Sequence, residues 1–203
     1  MTVPTDPSGI AAIVLAAGGS SRMGQSKQLL LFRGRTLVEH AVVQAIGAGL
    51  CPVIVVAGAQ AAAIRTAIAG MPVEIVQNDA WQTGMGSSIA AGVGRLLEMQ
   101  TGAAALAILL ADQPLVEAMH LSAMRELLNA NETNIVAAQY SGTLGVPAFF
   151  KHALFEKLAS LSPEAGARQV IRGSGDQVTA FPLPEAAIDV DTPEDYAALD
   201  LKR

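Results

Sequence analysis

This sequence predicts an α/β domain built on a mostly parallel sheet with helices on both faces, and three observations predict it. Apolar runs of strand length, at 10–16, 53–57, 73–76, 106–110 and 135–138, alternate with helix-length stretches. The runs are nearly continuous rather than alternating in and out, so their sheet is covered on both faces. Strands separated by helices need crossover connections, which makes them parallel. The expected architecture is a single three-layer αβα domain with a Rossmann-like sheet.

The elements follow in chain order. Residues 1–9, with Thr5, Asp6, Pro7 and Ser8, read as a flexible leader with neither the basic nor the apolar part of a signal peptide. The domain is expected over 10–203. After the strand at 10–16, helices are expected at 36–48, 60–69, 85–99 and 117–129. In the third, Met85, Ile89, Val93 and Leu96 recur at helical spacing and are expected to face the sheet. Residues 146–150 read as a strand of a small β-insertion, 151–161 and 164–172 as short helices, and 178–181 and 188–190 as late strands. Pro193 suits the first turn of a last helix through Leu199, capped by Thr192.

Composition sets limits. At 203 residues the chain is long enough for one sizeable core. Hydrophobic residues make up 51% and aromatics only 4%, so that core is aliphatic. The longest wholly apolar run, 103–111, is too short to span a bilayer, so no membrane partner is expected. A net charge of −5 argues against a broad nucleic-acid surface, and leaves local phosphate binding open. The single cysteine, Cys51, has no internal disulfide partner, which fits a reducing cytoplasm; its apolar neighbours make it a buried filler. His40, His120 and His152 show no zinc spacing.

The most informative segment is Leu15-Ala16-Ala17-Gly18-Gly19-Ser20-Ser21-Arg22-Met23-Gly24-Gln25-Ser26-Lys27. A buried-type strand empties into glycines and serines whose backbone N–H groups can approach an anion, with two cations beside them. Two familiar phosphate loops are excluded. The Walker pattern needs Lys directly after its second glycine, where this chain has Gln25; the dinucleotide fingerprint needs glycine where it has Ser20 and Met23. Asp112 follows another apolar strand, so both loops open at the carboxyl edge of the sheet, where such folds bind ligands.

Four ordered blocks carry a family resemblance: the first loop, Asn78-Asp79-Ala80-Trp81-Gln82-Thr83-Gly84-Met85-Gly86-Ser87-Ser88, Leu110-Ala111-Asp112-Gln113-Pro114, and Asp189-Val190-Asp191-Thr192-Pro193. Together they resemble the molybdenum-cofactor nucleotidyltransferases (MobA-like NTP transferases), and within them the molybdopterin cytidylyltransferase-like members. The resemblance implies a nucleotide-diphospho-sugar transferase-like fold. It implies attack by an acceptor phosphate on the α-phosphorus of an NTP with release of pyrophosphate, and Mg²⁺ as cofactor. It gives Arg22 the β/γ-phosphates and Lys27 the α-phosphate, with Asp112 as the third catalytic residue. Leu15, Ala16, Ala17, Gly18, Gly19, Ser20, Ser21, Asn78, Gly84, Gly86, Ser87 and Ser88 would complete the nucleotide site. Helix capping is an equally physical role for the two serines of the second block, and Trp81 would stack on a ligand, pack or act as a lid.

Asp112 and Asp191 are the implied metal ligands, Asp189 competing with Asp191. Ala17 stands where guanylyl-type relatives carry glycine, which favours CTP over GTP. Gly145, Pro147 and Arg168 resemble acceptor-binding positions, although Pro163 and Glu164 replace the usual Gly-Asp pair before Gly166. The implied acceptor is molybdopterin or another phosphorylated molecule, and a molybdoenzyme would receive the product. Transfer to a sugar or polyol phosphate, and non-catalytic carriage of the finished cofactor, remain the alternatives.

Overall fold

The computed structural model describes residues 9–19 and 26–200. The expected leader at 1–9, apart from Gly9, and loop residues Ser20, Ser21 and Arg22 lie outside them. Nine strands are described: β1 (Ile10–Ala16), β2 (Leu31–Phe32), β3 (Arg35–Thr36), β4 (Val53–Ala57), β5 (Val73–Gln77), β6 (Ala105–Leu110), β7 (Ile135–Tyr140), β8 (Thr143–Lys151) and β9 (Val178–Pro182). The helices are α1 (Leu37–Gly47), α2 (Ala61–Ala67), α3 (Met85–Glu98), α4 (Ala118–Ala130), α5 (Phe155–Ala159), α6 (Ala167–Arg172) and α7 (Pro193–Asp200). Seven strands form one sheet in the order β5-β4-β1-β6-β8-β7-β9, and β2-β3 make a separate small hairpin.

All neighbours in the large sheet run parallel except those of β8, which is antiparallel to both β6 and β7. The strand expected in a β-insertion thus enters the main sheet. It gets there through a two-residue turn from β7, where Ser141 and Gly142 hold φ of 49° and 71°, the left-handed pair that a tight hairpin requires.

Alternation along β1 shows why both faces are covered. Ile10, Ala12, Val14 and Ala16 pack with Val38, Val42, Ile64, Leu121 and Met124 from α1, α2 and α4. Ala11, Ile13 and Leu15 pack with Ile89, Val93 and Leu96 of α3 and with residues of α5 and α6. A third cluster, Leu30, Phe32, Leu37, Val190 and Leu199, fixes the C-terminal segment beneath the small hairpin.

The caps behave as their sequence directs. Thr36 and Glu39 form a reciprocal capping box on α1. Thr192 Oγ1 accepts from the Asp195 N–H at 3.2 Å, while Asp195 Oδ2 accepts from the Thr192 N–H at 2.8 Å.

Four expectations are corrected. Residues 188–190 form no strand: after a 3-10 turn at Pro184–Ala187, the Val190 N–H makes a bond to the Asp112 carbonyl while its side chain joins the third cluster. Lys151 ends β8, so the helix expected from there starts one residue later, as a 3-10 turn at His152–Leu154 that runs into α5, and α6 begins only at Ala167, after Gly166. Met85 does not face the sheet; as the first residue of α3 it is 49% exposed, whereas Ile89 and Val93 are fully buried. Cys51 is half-buried rather than a core filler. No helix among the described residues is long and apolar enough to cross a membrane.

Candidate active site

Parallel pairing of β1 with β6 brings Leu15 level with Leu110, and the Ala111 N–H donates to the Leu15 carbonyl. The glycine loop and Asp112 therefore leave the sheet side by side. A 3-10 turn at Lys27–Leu29 follows the loop and returns Lys27 over the strand ends. Its ammonium donates to Asp112 Oδ2 at 2.5 Å and to Asp191 Oδ1 at 2.6 Å. Three residues separated by up to 164 positions thus meet at one point. Burial alone would depress the Lys27 pKa, but the charge and hydrogen bond of Asp112, then those of Asp191, outweigh it. The pKa stands above the ordinary lysine value, so the group is a fixed cation.

Asp189 does not share that contact. It lies on a neighbouring cavity wall, and burial first, then the charges of Asp112 and Asp191, raise its pKa above the usual carboxylate value. Asp189 nonetheless stays within electrostatic reach of Asp112, Asp191 and Lys27.

A divalent ion can be tested against these groups. Asp112 Oδ1 is buried with no hydrogen-bond partner among the described residues, an oxygen whose desolvation nothing offsets. No group of three or more His, Cys, Asp or Glu among the described residues forms a metal cage. Mg²⁺ and similar hard cations are commonly held by one or two carboxylates together with water and substrate phosphates. Asp112 with Asp191 fits that pattern.

Two cavities open here. The first, about 330 Å³, is lined by Leu15, Ala17, Gly18, Lys27, Gly84, Ser88 and Asp112 from the expected set, and also by Gln28, Trp81, Gln82, Met85 and Leu110. The other expected nucleotide residues have different places. The Ala16 side chain lies on the opposite face of β1. Gly19 lies against the Trp81 indole, where a Cβ would come within 2.6 Å of the ring. Asn78 is buried and donates to the Ser87 and Ser88 hydroxyls at 2.9 and 3.0 Å. Ser87 in turn donates to the Gly84 carbonyl at 2.8 Å. Asn78 and Ser87 brace the second block rather than line the cavity. Gly84 has φ of +135°, and a Cβ on Gly86 would sit 2.0 Å from the Ser162 carbonyl. Glycine is required there because the 162–165 segment packs directly on the start of α3.

The second cavity, about 400 Å³, shares Met85 and Leu110 with the first and adds Gln113, Tyr140, Val146, Glu164, Arg168 and Asp189. Arg168 donates to the Tyr140 hydroxyl at 3.2 Å and lies over its ring. Gly145 makes room for this pair, since a Cβ there would sit 2.6 Å from the Tyr140 hydroxyl. Pro147 is set apart: it lines a small recess with Ala41 and Leu121, because successive residues of β8 face opposite sides. Gln113 is buried, and its amide nitrogen donates to the Val146 and Ala186 carbonyls at 3.3 and 2.8 Å. Sequence reasoning quoted Gln113 without giving it a role, and missed Gln28 and Tyr140. Adjacency to Lys27 was the available signal for Gln28; Tyr140 had none.

Comparison with known proteins gives the family. Residues 12–179 match the family described as MobA-like NTP transferase domain. The purine catabolism protein PucB of Bacillus subtilis (strain 168) is 32% identical over 198 residues, 91% of this chain and 92% of that protein. Nicotine blue oxidoreductase of Paenarthrobacter nicotinovorans is 43% identical, over only 43% of this chain and 44% of its own. Among solved structures, Rv0371c from Mycobacterium tuberculosis H37Rv superposes with a TM-score of 0.81 at 28% identity, covering 96% of this chain and 98% of that one. The same protein has been solved in complex with manganese (TM-score 0.75, 28% identity, covering 95% of this chain and 98% of that one). The matched family spans the glycine loop, Lys27, Asp112 and both cavities' central strands, and the chain is a member of the MobA-like NTP transferases.

Proposed function

We propose that this nucleotidyltransferase moves CMP from CTP onto the phosphate of molybdopterin, releasing pyrophosphate, with Mg²⁺ as its metal. The observation that carries the reading is the convergence of Lys27, Asp112 and Asp191 beside two cavities that share a wall. One cavity takes the nucleotide and the other the acceptor, so that the acceptor oxygen meets the α-phosphorus near the carboxylates. Phosphoryl-type transfer needs alignment and charge stabilisation more than covalent help. The fixed Lys27 cation supplies charge at the α-phosphate. Asp112 and Asp191 would hold the divalent ion, whose role is to neutralise phosphate oxygens; the manganese complex of Rv0371c supports a metal of this class. Arg22, outside the described residues, is assigned to the β/γ-phosphates by its place in the loop. Arg168 is the acceptor's anchor, and Ala17 lines the nucleotide cavity, where its methyl narrows the space for a purine. A cytoplasmic setting with a molybdoenzyme recipient accords with this reading.

The test is pyrophosphate release from CTP, GTP and ATP with Mg²⁺, in the presence of molybdopterin, a sugar phosphate or a polyol phosphate. Molybdopterin-dependent release from CTP is expected. Release only with a sugar or polyol phosphate would replace the acceptor, and binding without release would make the protein a carrier.

A further inference from the structure

Gln28 is 3% exposed, yet it lies on the wall of the nucleotide cavity. Its amide nitrogen donates to the Gly18 carbonyl at 3.0 Å, and its amide oxygen accepts from the Ser26 hydroxyl at 2.9 Å. Gly18 stands at the start of the loop and Ser26 at its end, so one side chain joins both stems. The reach is fixed from both directions, because Gln28 belongs to the 3-10 turn that carries Lys27. On the far side of the same stem, Gly19 lies on the Trp81 ring, so the first stem is held between an amide and an indole.

We propose that Gln28 is a positioning residue for nucleotidyl transfer: it sets the spacing between Gly18 and Ser26 and thereby places the backbone donors of Gly18 and Gly19 relative to Lys27. The inference rests on the nucleotidyltransferase reading of this site. A neutral amide suits the task, since it can donate to one stem and accept from the other at once. A carboxylate could do only the second, and an apolar isostere neither.

The experiment compares Gln28→Met, which keeps the volume and loses the bonds to Gly18 and Ser26, with Ser26→Ala, which loses only the second of these. Wild-type pyrophosphate release establishes the underlying reading; its absence would remove that reading, not this assignment alone. Given wild-type turnover, Gln28→Met is expected to lower kcat/KM for the NTP on the order of tenfold, the size of a lost buried hydrogen bond with an unpaired partner. KM for the NTP should rise while KM for the acceptor stays unchanged, whereas a loss of folded protein lowers apparent kcat and moves neither KM. Ser26→Ala should give a smaller loss in the same direction. Trp81, the only tryptophan, supplies an independent readout: measured well below the variant's Tm, its fluorescence response to NTP should weaken in Gln28→Met. If Gln28→Met folds, NTP kinetics and fluorescence within twofold of wild type would overturn the assignment. If it fails to fold, Ser26→Ala decides, and wild-type kcat/KM for that variant would overturn it equally.

Discussion

The Lys27 ammonium lies 2.5 Å from Asp112 Oδ2, although 85 positions separate the two residues in the chain. That contact joins the loop after β1 to the loop after β6, and it makes Lys27 the residue through which loop and carboxylates communicate. Lys27→Ala is expected to lower kcat on the order of 10²-fold or more, as when a charge-stabilising donor is removed from a transition state. Steady-state pyrophosphate release measures it, and unchanged kinetics would remove Lys27 from the mechanism.

Asp112 offers a buried oxygen with no partner among the described residues. Asp112→Asn keeps the shape and removes the charge that a hard cation needs. Manganese binding, followed by calorimetry without nucleotide, should weaken at least about tenfold, the usual scale of losing a ligand or its support. Asp189→Asn, on the adjoining cavity wall, should bind the ion as the wild type does. The reverse order would exchange the two assignments.

The proposed preference for CTP rests on the methyl group of Ala17. Ala17→Gly should shift the ratio of kcat/KM values for CTP and GTP toward GTP by about ten- to a hundredfold, the range of a one-carbon discrimination. A ratio that does not move would place base selection elsewhere.

His40 gives the fold a pH dependence. It is buried against the Phe32 ring, and its Nε2 has no partner among the described residues. Burial is the largest cause holding its pKa below the ordinary 6.5, and the charges of Arg33 and Arg35 add to it, against a hydrogen bond with Pro114 and the charge of Glu117. Below pH 6.5 the unfolded chain therefore binds more protons than the native one, and stability falls as pH falls toward the native pKa. His40→Leu should flatten this slope in urea titrations between about pH 7 and 5, the range of histidine titration. An equally steep slope in the variant would contradict it.

Gly86→Ala should cost about 1–3 kcal/mol of stability, the scale of overpacking against unyielding groups, because its Cβ would strike the Ser162 carbonyl. Chemical denaturation measures this directly. If the protein kept full stability and lost only nucleotide affinity, the glycine would belong to the ligand and not to the packing.

The sheet was legible because continuous apolar runs are read locally, and the loop with Lys27 was legible because its residue types leave few other uses. What escaped needed tertiary information. Met85 fits the helical stripe of α3, but it occupies the first turn, where the helix already projects beyond the sheet. Residues 188–190 have a strand's composition, yet Val190 is used by a side cluster and pairs with Asp112 through a single bond. Asp189 and Asp191 differ by two positions, and no local pattern shows that Asp191 bonds to Lys27 while Asp189 lines the second cavity. Tyr140 supports Arg168 across the turn from β7 to β8, a partnership that no spacing announces.

The partition between the two chambers is made by Met85 and Leu110. Neither presents a hydrogen-bonding group, and one is an unbranched thioether that adapts to irregular neighbours. In the proposed transfer, which joins the contents of both chambers, the new pyrophosphate bridge would cross this oily sill. Acceptors of different girth can then be accommodated by rotamer changes at the sill alone, with the strands beneath it left in place.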